Sequence, residues 1–489
     1  MLLDPAGRRI GFTAVAERAE RVAAGLHELG IGPGTRVSWQ LPTRIDSVLV
    51  SIALARLGAV QTPILHLYRD REVGAVLRQS QPEFVLVPGI WRERDFAGMA
   101  RALVADLRPS PTVVVIGEEL PDAGVGRLPP PPGSGDEVRW VYYTSGTTSA
   151  PKGVLHTDRT LMSGGRGLAA ALDMSEDDIG SIAFPYAHIG GPDYLVMMLS
   201  AGFGAVLIEA FVPADAVEIY RRLGVTMAGG STVFYQALLA EQRKQPPAAL
   251  VPSLRLLSGG GAPKPPELYH AVRREMGITL VHGYGMTEIP MITMGSPRDT
   301  ADQLAETEGA PVLGTSVRIV TEDEWVAPVG VEGEVRVRGE VVCVGYTDPT
   351  ATAAAFDADG WFRTGDLGCL RSDGHLRLTG RLKDVIIRKG ENISARELEE
   401  LLGQHPKVAG VAVVGLPDRD RGERVCAVVE LHDPMAPLGF DEMVGYLRAT
   451  GLMTQKIPEQ LETLDRLPRS ETLGKVLKYQ LRETFGSDG

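Results

Sequence analysis

Apolar residues recur at helical spacing over 13–29, where Val15, Ala19, Val22, Ala23 and Leu26 share one face. Gly30 follows where a helix-ending glycine belongs. RVSWQL (36–41) reads as a strand, 46–57 as a helix, and FVLV (84–87) and TVVVI (112–116) as buried strands. Strands alternating with helices predict βαβ units and a mostly parallel sheet. The alternation breaks over 118–136, where Pro129, Pro130, Pro131 and Pro132 precede Gly133 and Gly135. No helix or central strand continues through such a stretch, so it reads as a surface connection. VRWVYY then reads as a strand running into a Ser/Thr/Gly loop, and the alternation resumes to about residue 310. Beyond it, GEVRVRG (333–339) and HLRLTG (375–380) predict short strands in a β-rich part. After Gly380 a helix over 395–403, strands at 409–414 and 424–431, and a helix near 441–449 predict a small α+β domain.

With 489 residues the chain is long enough for two to four domains at ~150 residues each. A 44% hydrophobic and 23% charged composition supports a buried core rather than disorder. The charge, 62 acidic against 50 basic residues and −12 net, argues against a nucleic-acid or anionic-membrane binder. Local basic clusters can still hold an anionic ligand. Cys343, Cys369 and Cys426 are too few and too scattered for a disulfide framework or a zinc site, which fits a reduced, cytoplasmic setting. The longest uncharged stretch, 223–240, contains three Gly, two Thr, a Ser and a Gln, so no membrane span is expected. The opening residues, MLLDPAGRRIGF, lack the apolar stretch and cleavage site of a secretory signal. A soluble enzyme is the expectation.

The strongest local feature is YTSGTTSAPKG, residues 143–153. Thr144, Ser145, Gly146, Thr147, Thr148 and Ser149 crowd hydroxyl and amide donors into one turn, and Lys152 adds a cation. That chemistry wraps nucleotide phosphates, and it equally describes a polar turn. The Walker spacing is absent, since no Ser or Thr follows Lys152. Four further segments carry charge: HGYGMTE (282–288), GWFRTGD (360–366), GRLKDVIIRKGENIS (380–394) and LPRSETLGK (467–475). Taken singly, Glu288 reads as a solvated carboxylate, Asp366 as a turn cap, Arg381, Lys383, Arg388 and Lys389 as a solvated strand face, and Lys475 as an exposed lysine.

In this order and spacing the five segments closely resemble the adenylate-forming superfamily over about residues 12–483. That superfamily comprises acyl- and aryl-CoA synthetases, peptide-synthetase adenylation domains and firefly luciferase, and the resemblance is closest to acyl-CoA synthetases. The resemblance implies an α/β fold. A large N-terminal domain, 1–380, would hold α/β subdomains and a small β-barrel-like part. A small mobile α+β domain, 381–489, would follow a hinge near Lys383. It implies that the 144–152 loop closes over ATP, and that Gly260 and Gly261 with Ala262, and Gly283, Tyr284 and Gly285, sandwich adenine, the glycines allowing close backbone approach. By the same resemblance Thr287 contacts the α-phosphate, Glu288 holds Mg2+, Asp366 takes the ribose hydroxyls, and Arg381 contacts ribose and phosphate. Lys475 is implied as the mobile lysine of adenylation, and Gly390 as the mouth of a pantetheine tunnel for CoA.

The sequence departs from the family pattern in three places. Ser149 replaces a glycine, PRSETLGK is one residue longer than usual, and the chain begins close to the first family helix. The acyl pocket is implied by FPYAHIGG (184–191) and MAGGSTVFY (227–235), with His188 as a gate. Gly190, Gly191, Gly229 and Gly230 leave room there for a bulky acid or are filled by packing. Amino-acid-activating relatives carry an acid in this segment, whereas here the nearest is Asp193, which favours a neutral, apolar acyl group. The leading expectation is an acyl-CoA ligase taking a small-molecule carboxylic acid, ATP and CoA, with Mg2+. The acid is left open among fatty, alicyclic, aryl and steroid side-chain types, and so is homodimer formation. The alternatives are an adenylation enzyme that loads a carrier protein, and an inactive relative serving as a binding module.

Overall fold

Phe84–Val87 and the other short apolar runs near the start are parallel strands of one sheet. The computed structural model describes residues 1–117, 119–144, 151–245, 247–388, 391–418, 422–450, 452, 454–470 and 474–486, without the side chains of 383, 387, 391, 392, 422 and 455. It divides into two units, 1–317 with 337–362, and 318–336 with 363–489.

Among the described residues the first unit holds three larger sheets and a two-stranded one, Ile90–Trp91 with Arg94–Asp95. The seven-stranded sheet runs, in order, Gly345–Tyr346, Lys152–Thr157, Val138–Thr144, Val60–Pro63, Arg36–Trp39, Phe84–Val87 and Thr112–Val115. Its last five strands are mutually parallel and its first two join antiparallel. Thr112–Val115 is therefore an edge strand with exposed ends, not the buried strand its apolar run predicts, because its outer side has no neighbour among the described residues. The five-stranded sheet places Met227–Gly230, Leu256–Gly260 and Thr279–Met286 in parallel, then Ile289–Met294 and Ala310–Pro311 antiparallel. The four-stranded sheet is Ile179–Ile182, Gly204–Leu207, Leu2–Leu3 and Arg9–Ile10. The first helix, Phe12–Glu28, buries Val15, Ala19, Val22 and Leu26, and Gly30 follows at φ +100°. Ile45–Leu57 is apolar on every side and buried almost throughout, which suits a helix enclosed in the core.

The β-rich part is a four-stranded sheet of Thr315–Val320, Gly333–Gly339, Phe362–Leu370 and Leu376–Arg381, of which 318–320, 333–336, 363–370 and 376–381 belong to the second unit. The α+β part pairs Val408–Asp418 with Gly422–Leu431 and lays Ala395–Gly403 and Phe440–Ala449 over an aliphatic core that includes Leu398, Leu402, Val425 and Leu447. No helix among the described residues is long and apolar enough to cross a membrane; 223–240 holds the strand Met227–Gly230 and the start of the helix Thr232–Arg243.

Candidate active site

Two hairpins carry the polar groups of the first unit. Val138–Thr144 returns as Lys152–Thr157 with Thr144 directly opposite Lys152, so the Ser/Thr/Gly loop springs from paired arms. Ser145, Gly146, Thr147, Thr148 and Ser149 lie outside the described residues. In the second hairpin Met286 pairs with Ile289, which leaves Thr287 and Glu288 as a two-residue tip. Fully buried His156, on the first hairpin, joins the two: Nε2 lies 2.8 Å from the Thr287 carbonyl and Nδ1 2.9 Å from the Thr160 hydroxyl. A carbonyl only accepts, so Nε2 carries the proton and Nδ1 accepts. Burial pushes this imidazole down to about 4, so it is neutral near pH 7. Buried Glu288 is held from the side, where the Tyr346 hydroxyl donates to its Oε1 at 2.8 Å. The Lys152 ammonium lies 5.6 Å from the centroid of the same tyrosine ring. Burial, with Glu288 adding to it, pushes the Cys343 thiol up to about 12, so it stays protonated.

The glycine-rich segments meet at neighbouring strand ends, Gly230 opposite Gly259 and Gly260 opposite Gly283. A Cβ on Gly259 would sit 2.3 Å from the Gly230 carbonyl oxygen, and one on Gly260 2.5 Å from that of Gly283. At Gly285 it would meet the Pro290 carbonyl oxygen at 2.3 Å. The close approach these glycines permit is thus first of backbone to backbone between strands. Gly261 adopts φ +81°, and the Ala262 carbonyl accepts from His282 Nε2 at 2.9 Å and the Thr232 hydroxyl at 3.3 Å, which fixes the end of the SGGGA segment. Tyr284 is buried.

His188 lines a cleft with Ile64, Tyr68, Tyr142, Tyr143 and Thr287, so the expected acyl gate and the expected α-phosphate contact share one opening. Its Nδ1 accepts the Gly190 N–H at 3.2 Å, and burial pushes the ring down to about 4 although part of its surface stays open. Of the four glycines expected at the acyl pocket, Gly191 and Gly229 are not spare room: a Cβ would lie 1.9 Å from the Tyr186 carbonyl oxygen and 2.2 Å from that of Ser258. Gly190 and Gly230 instead face the Phe184 ring, at 3.5 and 3.3 Å, and Gly230 also faces Phe234 at 3.3 Å. Phe211 lies 4.5 Å from Phe234, centroid to centroid, so it extends the half-buried aromatic surface that Phe184 and Phe234 present to Gly230. Asp193 turns its carboxylate toward Gly164 of the neighbouring helix, and its Oδ1 has no hydrogen-bond partner among the described residues. Burial pushes it up to about 8, so it is mostly uncharged at neutral pH.

In the second unit Asp366 and Arg381 are cross-strand neighbours, and Arg381 Nε lies 2.7 Å from Asp366 Oδ1. The Thr364 hydroxyl donates to the Val335 carbonyl at 2.6 Å and accepts the Asp366 N–H at 3.1 Å, which fixes the turn ahead of that aspartate. Lys383 sits in the 3₁₀ turn Leu382–Asp384, its side chain outside the described residues. Burial alone would raise Asp384, but Lys478 and Arg482, at 4.0 and 3.1 Å, outweigh it and hold the carboxyl low. Lys475 is exposed, and its carbonyl accepts the Ser470 N–H at 2.7 Å, closing the lengthened loop. Gly390 lies outside the described residues. Sequence reasoning missed His156 and Tyr346. A lone histidine in the apolar strand GVLHT was the available sign of the first, and nothing local marks the second.

A threonine–glutamate tip tied through His156 to the strand Lys152–Thr157, with a paired aspartate and arginine on a separate sheet, is an arrangement suited to a nucleotide-handling α/β enzyme. The sequence profile of AMP-binding enzymes matches residues 2–347, and that of the AMP-binding enzyme C-terminal domain matches 397–475. The medium-chain fatty-acid–CoA ligase of Escherichia coli is 30% identical over 99% of this chain and 87% of its own length. A feruloyl-CoA synthase of Amycolatopsis sp. is 32% identical over 98% and 95%. ATP-bound MatB of Rhodopseudomonas palustris superposes with a TM-score of 0.90 at 28% identity, covering 99% of this chain and 95% of that one. The chain belongs to the AMP-binding enzyme family, the adenylate-forming superfamily, close to its acyl-CoA synthetases. It is an ATP-dependent acid–thiol ligase.

Proposed function

We propose that the protein activates a neutral, apolar carboxylic acid to its acyl-adenylate and then passes the acyl group to the thiol of CoA. In the first step a carboxylate oxygen bonds to the α-phosphorus of ATP, and the bond to the β-phosphate oxygen breaks, releasing pyrophosphate. In the second the thiolate sulfur bonds to the acyl carbon and AMP leaves with the bonding pair. The observation that supports the reading is the cleft lined by both His188 and Thr287, because the reading needs an acyl gate and a phosphate contact close together.

In this reading Thr287 donates to the α-phosphate, the 144–152 loop and Lys152 hold the outer phosphates, and Asp366 accepts from the ribose hydroxyls beside Arg381. The segments around Gly261 and Tyr284 flank the adenine. Glu288 fits a hard divalent cation, being a buried carboxylate already ordered by a phenol. Bound there, Mg2+ would neutralise phosphate charge. Lys475 stabilises the charge that builds during adenylation. A hinge at Lys383, dividing 1–380 from 381–489, then exchanges Lys475 for Gly390 and admits the pantetheine arm.

Two features favour an uncharged acyl group: Asp193 is mostly protonated near neutral pH and turned toward Gly164, and Phe184 and Phe234, extended by Phe211, present aromatic surface beside Gly230. The free, largely buried thiols of Cys343 and Cys426 favour the cytoplasm. Pyrophosphate release over a panel of acids, with and without CoA, tests the reading. Acid-dependent release with stoichiometric loss of CoA thiol is expected; release that never consumes CoA indicates a carrier-loading enzyme, and no release indicates a binding module.

A further inference from the structure

The position of Tyr346 is fixed by its backbone before its side chain is considered. Val344 N–H donates to the Leu155 carbonyl at 2.9 Å, Thr347 N–H to the Gly153 carbonyl at 2.8 Å, and Tyr346 N–H to the Thr352 hydroxyl at 2.9 Å. Cys343 N–H reaches the Glu288 carbonyl at 2.9 Å. Segment 343–347 therefore laces the strand that starts at Lys152 to the Thr287–Glu288 tip. Within that pairing Tyr346 lies opposite Val154, so Lys152, two residues earlier on the same face, is its diagonal neighbour. The strands come close enough that a Cβ on Gly153 would sit 2.7 Å from Thr347 Cγ2.

Two contacts follow from this placement. The ring of Tyr346 faces the Lys152 ammonium at 5.6 Å, and its hydroxyl donates to Glu288 Oε1 at 2.8 Å. A phenol keeps its proton near neutral pH and a carboxylate oxygen only accepts, so the Tyr346 hydroxyl is the donor. A carboxylate free to rotate loses that freedom when it takes a cation, whereas one already held by a hydrogen bond does not.

We propose that Tyr346 is a positioning residue for adenylation: its hydroxyl orients the Glu288 carboxylate toward a divalent cation while its ring seats Lys152. One side chain thereby sets the spacing of the two charged groups offered to the nucleotide phosphates. The inference rests on the reading of Glu288 as the metal ligand.

The test uses the full chain with ATP and Mn2+ as a paramagnetic probe, read by water-proton relaxation, and ATP binding without metal, read by calorimetry. Tyr346→Phe keeps the ring and every backbone bond. It should loosen Mn2+ in the enzyme–ATP complex about 10-fold or more, as loss of a group that orients a metal ligand does, with metal-free ATP affinity unchanged. Tyr346→Leu should show the same metal loss and weaken metal-free ATP binding a further 2- to 5-fold or so, from the lost cation–ring contact. Parental Mn2+ affinity in Tyr346→Phe overturns the proposal. So does a loss in that variant matched by weaker metal-free binding and a lower urea midpoint, which marks general disorder. If the parent's own ATP binding ignores Mn2+, the Glu288 reading fails and takes the inference with it; a metal-dependent parent beside an unaffected Tyr346→Phe defeats the inference alone.

Discussion

Asp193 shows what a single buried group does to the molecule's response to pH. Its carboxyl is pushed up to about 8 in the folded chain, against about 3.9 when unfolded. Between those values the unfolded chain has lost a proton that the folded chain keeps, so stability falls as pH rises through that window. Asp193→Asn mimics the protonated form and lacks this dependence, so its urea midpoint should gain on the parent's steadily from pH 5 to 8. A difference that stays constant with pH contradicts a buried, protonated Asp193. Glu288 gives a second prediction. Glu288→Ala removes the expected cation ligand and should lower acid-dependent pyrophosphate release by about 10²-fold or more; near-parental release removes Glu288 from the reaction. Thr287, Glu288, Asp366 and Lys475 were singled out by the order and spacing of five short motifs and the family resemblance these carry; taken one at a time, each reads as an ordinary surface or turn residue. His156 and Tyr346 were not singled out, since their partners lie 131 and 58 residues away and no local spacing records such a pairing.

Strands and helices explain which glycines can be used as probes. Gly190 opens its helix with its nearest neighbours at 3.5 Å, so Gly190→Val should narrow the cleft beside His188 without straining the backbone. Preference in the acid panel should move toward smaller acids, since misfitting methylenes in a pocket cost about 1–3 kcal/mol. An unchanged ranking shows that Gly190 does not face the acyl group. Gly230 is a poorer probe, because φ +142° strains any side chain placed there. The same scale explains what the hydrophobic pattern revealed. FVLV and the helix Ala395–Gly403 lie where their patterns put them, because burial on defined faces leaves a period in the sequence. TVVVI has the same composition as a buried strand, and only the strand order reveals an edge. The return strand Lys152–Thr157 was missed because the hydroxyl-rich loop before it dominates the local composition.

At the scale of the molecule, Thr287 and Glu288 belong to the first unit, and Asp366, Arg381 and Lys475 to the second. The proposed hinge makes the two half-reactions depend on different residues of the same small domain. Lys475→Ala removes a cation needed only while charge builds between carboxylate and α-phosphate. Single-turnover rates of both half-reactions in a folded Lys475→Ala protein test this directly. The account predicts adenylate formation slowed by about 10²-fold or more, with near-parental thioester formation from supplied acyl-adenylate and CoA. Equal losses in both half-reactions would contradict it.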